Sequence, residues 1–246
     1  MSLWLDGQFW SYYFKQRFIP QINAFCDVII NRINPTFSNV EQEADTIAQN
    51  EFERLGIMPV DEDHILDMAD MAEKAQEAGL NYYQAITGIH QGIINLSVAA
   101  LYHLFEQQLL LFYRRQILRP SEENNYNLMN LNQLMTRLSD GGLKLDNLSS
   151  WQHVDELRLI ANAVKHAEGK STKNLRRLRP DLFENPILKE DESTSWLAFS
   201  YDVYMPLVGE DIFLTIADLD FYRNSLLSFW NEFGDVICEY SDNQHP

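Results

Sequence analysis

Hydrophobic residues recur every three to four positions along most of the chain, and the interruptions fall where helices end. An aromatic first segment, 9–34, is broken at Pro20 and stops before Pro35. Ser38, with Glu41 at the capping-box position, predicts a helix to about Leu55 with Gly56 just beyond it. Segment 61–77 starts acidic and is followed by Gly79, as the helix dipole and the glycine C-cap both favour. Asn81 opens a long helix, 81–118, that stops before Pro120, and a short one follows over 128–138. Ser149 or Ser150 caps a helix over 151–166, with Gly169 after it. Gly88 and Gly92, one turn apart, let a neighbouring helix approach the long one closely.

Past Pro180 and Pro186 the period changes. Segments 196–204 and 212–217 are rich in aromatic and β-branched residues, with Pro206 and Gly209 between them, and read as a β-hairpin. Asp218 then caps a last helix, 219–240, with Tyr222, Leu226, Phe229, Phe233 and Ile237 on one stripe. The expected fold is mainly α, one domain over 1–246. A helical bundle is built on a long central antiparallel pair (81–118 against 151–166), with a small C-terminal β-hairpin. Trp196, Phe199, Tyr201, Trp230 and Phe233 read as core.

Composition agrees with such a core: 246 residues, 46% hydrophobic and 12% aromatic, are too apolar for global disorder. Two cysteines, Cys26 and Cys238, lie far apart in apolar surroundings, so buried free thiols in a reducing compartment are expected rather than a disulfide framework or a zinc site. The first residues lack the basic and apolar regions of a signal peptide. The run 81–105 has no charged residue, but its scattered Gln, Asn, His and Thr fit a covered helix in a bundle better than a membrane span. A cytoplasmic protein with no membrane anchor is the expectation.

Charge singles out one region. Seven of the nineteen Lys and Arg residues fall in 158–179, which carries a formal charge of +6 in a chain of net charge -17. Such a field attracts phosphates locally even where the whole molecule repels them. On a helix over 151–166, with Arg158 at zero, Asn162 lies near 40°, His166 near 80° and Lys165 near -20°. They share the stripe opposite Leu157, Ile160 and Val164. A neutral imidazole among cations can take a proton, a guanidinium can stabilise an oxyanion, and an amide can orient a hydroxyl. The same stripe is also what an ordinary amphipathic helix shows to solvent, with Asp155 and Arg158 as a common i,i+3 ion pair.

The segment L-R-L-I-A-N-A-V-K-H-A-E-G resembles the last helix motif of HEPN-domain proteins, helical domains of toxin–antitoxin and phage-defence systems. In that motif an Arg, usually followed by a polar residue such as Asn, precedes a His by four to six positions. Here Asn162 and His166 match the Asn and the His. Ala161 stands at the Arg position, and Arg158 lies one turn earlier. The resemblance covers the helical hairpin over about 81–169. It implies a homodimer whose facing motifs cut RNA without a metal or other cofactor, and a cognate antitoxin or defence protein as partner. The catalytic residues implied are His166, Asn162, Arg158 and Lys165, and the RNA-binding residues expected downstream are Lys170, Lys173, Arg176, Arg177 and Arg179. N-A-V-K-H also looks like the magnesium-binding helix of histidine-kinase-type ATPases, but their downstream glycine motifs are missing.

Elsewhere the chemistry is sparse. His90 and His103 lie about 220° apart round one helix and cannot share a ligand. His64 has carboxylate neighbours but no second His or Cys at metal-ligand spacing. The expected function is therefore RNA engagement through 158–179, with metal-independent cleavage at His166. The alternative is a non-catalytic interaction subunit whose basic loop docks a partner protein.

Overall fold

In the computed structural model, which describes residues 4–57, 67–190, 193–194 and 197–243, helices carry most of the chain, as the periodicity predicts. The aromatic first segment runs through Pro20 without breaking. Helix α1 (Gly7–Tyr13) passes through a widened π turn, Phe14–Phe18, into α2 (Ile19–Val28). Ile19 N–H reaches back to Phe14 O, so Pro20 falls in the first turn of α2, where a missing N–H costs least. Helix α3 (Val40–Ile57) follows.

The two helices expected on either side of Gly79 are one. Helix α4 (Met68–Phe112) runs unbroken for 45 residues, then closes in a π turn at Tyr113–Ile117. Residues 61–66, including His64, lie outside the described part of the chain. The acidic start signal is realised at Asp67, whose carboxylate accepts from Ala69 N and Asp70 N. Gly79 does not end the helix because it serves packing: a Cβ there would sit 2.9 Å from Ala44 O on α3.

The second half of α4 is central. Tyr102 lies within electrostatic reach of Asp155 and Arg158, while Leu96 and Ala99 share a cleft with Val164 and Lys165. Helix α6 (Trp151–His166) therefore runs antiparallel to α4. Between them lies α5 (Leu131–Asp140), and after them α7 (Lys170–Leu178), α8 (Pro186–Glu190) and α9 (Ile216–Asp242). Helices α1 and α2 pack on α9 and α4 through aromatic rings. Trp230 sits 4.6 Å from Phe14 and 4.8 Å from Phe18, and Phe112 meets Phe233 edge to face at 5.3 Å. The indole N–H of Trp230 donates to Gln108 Oε1, and the amide nitrogen of Gln108 donates to Phe18 O, so these two buried polar side chains are paired inside the core.

Two cap readings shift. Ser150 holds the N-cap position of α6 but its side chain caps no N–H of the helix; its hydroxyl, with the N–H groups of Ser149 and Ser150, donates to Glu232 of α9 and ties the start of α6 to that helix. At the start of α9 the cap is Thr215, with Asp218 closing the capping box.

The expected β-hairpin does not form. Among the described residues of 196–217 there is no strand, and one isolated antiparallel bridge joins Glu184 to Phe199. Side chains of α4 take the backbone groups that a ladder would use. Asn95, fully buried, donates to Pro206 O and Ile212 O and accepts from Leu214 N; Gln91 donates to Leu214 O. Asp211 takes Tyr204 N and Met205 N. The segment is thus an irregular strap over α4, and it is the neighbour that Gly88 and Gly92 admit. A Cβ on Gly92 would lie 1.9 Å from Leu207 O. Tyr201, expected in the core, is 76% exposed, whereas Trp230 and Phe233 are buried, Phe199 is half-buried, and Trp196 lies outside the described residues.

Candidate functional site

The basic stretch is a helix–turn–helix corner rather than a loop. Helix α6 ends at His166 and α7 begins at Lys170, with Gly169 at its N-cap position. Ala167, directly after His166, has φ 58° and ψ -136°, a conformation that glycine adopts freely and alanine does not. Holding a non-glycine residue there costs on the order of 1–3 kcal/mol, so the surroundings must over-determine it. They do. Thr172 Oγ1 donates to Ala167 O, Glu168 N donates to Val203 O, and Val203 N returns a bond to the Glu168 carboxylate. Arg176 completes the lock, donating to Glu168 at 2.8 Å with its guanidinium 4.7 Å from the Phe183 ring centre. This guanidinium holds the Glu168 carboxyl below the usual range.

The expected site residues divide. Arg179 is tied into the fold: it bonds Glu156 on α6, Asp181, Asp218 on α9 and the Tyr222 hydroxyl. Arg176 is held by Glu168, so neither of these two faces a ligand freely. Around α7, with Lys170 at zero, Lys173 lies near -60°, Asn174 near 40° and Arg177 near -20°. Lys170, Lys173 and Arg177 are exposed, and the opposite side carries buried Thr172 and Leu175 together with Arg176. At the end of α6, Lys165 and His166 are exposed and Asn162 is half-buried. Arg158 donates to Asp155 at 2.8 Å, the ordinary i,i+3 pair, and eight residues of rise, about 12 Å, separate it from His166 along the axis.

Ala161, at the position of the motif Arg, is 1% exposed. That position faces the core. The spacing of the buried residues Leu157, Ile160, Ala161 and Val164 carries that signal in the sequence. Of the other histidines, His90 stacks on Phe37 and donates to Asn34 Oδ1 at 2.8 Å, with burial disfavouring its charged form; His103 pairs with Glu106. Among the described residues no group of three His, Cys, Asp or Glu is arranged to hold a metal ion, and no helix is long and apolar enough to cross a membrane.

Comparison of the chain with protein-family models, with curated proteins and with solved structures finds no match.

Proposed function

We propose that the protein binds single-stranded RNA on the α6–α7 corner, with Lys165, Lys170, Lys173 and Arg177 on the phosphates. The observation that carries this reading is the outward cationic stripe of α7 beside the exposed end of α6, in a chain of net charge -17. Clustering cations on one stripe costs mutual repulsion, which phosphate binding would offset, and their local field attracts phosphates that the molecule as a whole repels. The pinned turn supports the reading too, because strain held in place by four contacts fixes where His166 and Lys170 stand.

His166 is the proposed base for cleavage. It would take the proton of a ribose 2′-hydroxyl, whose oxygen attacks the adjacent phosphorus while the 5′-oxygen leaves and is protonated. The products are a 2′,3′-cyclic phosphate and a 5′-hydroxyl end. Asn162 would orient the ribose, and Lys165 would stabilise the developing charge. Incubation with total RNA, with and without EDTA, tests this step. Cleavage that survives EDTA, leaves cyclic phosphate ends and falls by roughly 10² to 10⁴ in His166→Ala supports it.

A second reading is favoured by Arg158 and Ala161. With Arg158 held by Asp155 and position 161 turned to the core, His166 has no guanidinium partner from its own helix. On that reading the corner docks a partner protein without catalysis. RNA that binds but is never cut, in wild type and His166→Ala alike, selects against cleavage; absence of RNA binding selects the docking reading.

A further inference from the structure

A cleft of about 700 Å³ opens between α2, the middle of α4 and the end of α6. Its floor is one stripe of α4, in which Leu96, Ala99, Ala100 and Leu104 follow the i, i+3, i+4, i+8 spacing. Phe25 and Val164 wall it. The two alanines give it depth, since larger residues at those positions would fill it. Sites of roughly 300–1,000 Å³ with mostly apolar walls and few polar groups are those that take small molecules.

The polar part of the lining is specific. The chain has 36 acidic residues, yet none lines this cleft, while Lys165 does. Among the described residues Lys165 makes no ion pair, and it is exposed. His103 also lines the cleft but is occupied by Glu106, which lies outside the lining. An apolar trough with one available cation complements an alkyl chain that ends in one negative charge. A nucleic acid strand, with a charge at every phosphate, does not match it.

We infer that this cleft binds a single-chain amphipathic carboxylate, its alkyl tail along the α4 stripe and its head on Lys165. The site is separate from the phosphate-binding stripe of α7, although Lys165 borders both. Binding is read on RNA-free protein, so failure here leaves the RNA reading intact.

The test titrates the full chain, below micelle-forming concentrations, with dodecanoate, its neutral analogue dodecanol and the cation dodecyltrimethylammonium. Dodecanoate should saturate at one per chain, with the cation at least about tenfold weaker. Lys165→Gln should weaken dodecanoate at least about threefold and leave dodecanol unchanged, as expected for one solvent-exposed charge pair. Because Lys165 is exposed, that variant keeps the fold, which circular dichroism verifies. Ala100→Leu, which fills the floor, should weaken dodecanoate and dodecanol alike by about tenfold or more. Three outcomes would overturn the inference: no saturable binding, equal affinity for the cation, or both variants binding like wild type. A dimer that dodecanoate does not dissociate, together with no saturable binding, would assign the cleft to a second copy of the chain and overturn it as well.

Discussion

Replacing Glu168 with Gln should loosen the corner that presents His166. Glu168 joins three elements: its carboxylate accepts from Arg176 on α7 at 2.8 Å and from Val203 N in the strap at 3.2 Å, while its backbone N–H donates to Val203 O. The two charged side chains are 22% and 17% exposed, so their pairing is weakly screened. A fully buried pair broken on one side costs about 3–5 kcal/mol, and hydrogen bonds to charged groups contribute about 1.5–3 kcal/mol. Arg176 Nε and Glu168 Oε1 are buried and unbonded, so the pair is single-point rather than a fork. That places the loss near the low end, about 2 kcal/mol. In a chain of this size it corresponds to a fall in Tm of roughly 4–8 °C.

The pH dependence follows from the same contact. Arg176 depresses the folded-state pKa of Glu168. Its contribution to stability is therefore present above the ordinary carboxylate pKa and is lost as pH falls through the depressed value. Urea denaturation followed by circular dichroism, at neutral pH and in steps below pH 5, measures both effects. Glu168→Gln should lower stability at neutral pH and flatten the acid limb. In a double-mutant cycle with Arg176→Met, the two changes together should cost less than their sum by about 1 kcal/mol or more. A loss below about 0.5 kcal/mol with strict additivity would refute the claim that this pair pins the turn.

Three further outcomes follow. Arg179→Met should cost about 3 kcal/mol in urea denaturation, because it leaves Glu156, Asp181 and Asp218 converging with no cation between them. Ala167→Gly should raise stability by up to about 1 kcal/mol, since glycine adopts the observed backbone without strain; a loss of that size would mean the methyl group packs productively. Cys26, fully buried and with its thiol pushed up to about 12 by burial, should resist a thiol reagent at pH 8 until the protein unfolds, and labelling of Cys26 in the native state would contradict the packing of α2.

Much of the architecture was legible from periodicity and helix punctuation, and the differences have identifiable causes. Pro20 reads as a break because its missing N–H is visible in sequence, whereas the π turn that relieves it is not. Gly79 reads as a helix end, yet it is there to admit Ala44, a contact 35 residues away that no local pattern contains. The 196–217 segment has strand-forming residues, but Asn95 and Gln91, a hundred residues earlier, take its backbone groups. The candidate site was legible as a charge cluster and not as a geometry. Arg176 and Arg179 are indistinguishable from Lys173 and Arg177 in sequence until Glu168, Glu156 and Asp218 are placed beside them. The inward turn of Ala161 was readable from its place beside Leu157, Ile160 and Val164 on the apolar face of the helix.

The salt dependence of single-stranded RNA binding tests the central claim most directly. Each phosphate contact on a single strand contributes about -0.7 to the slope of log K against log salt, so Lys165, Lys170, Lys173 and Arg177 together predict a slope near -3. Neutralising Lys173 and Arg177, as Lys173→Gln with Arg177→Gln, should reduce its magnitude by about 1.4 while the protein stays folded. Binding with no salt dependence, binding unchanged in that variant, or no RNA binding at low salt would contradict the account.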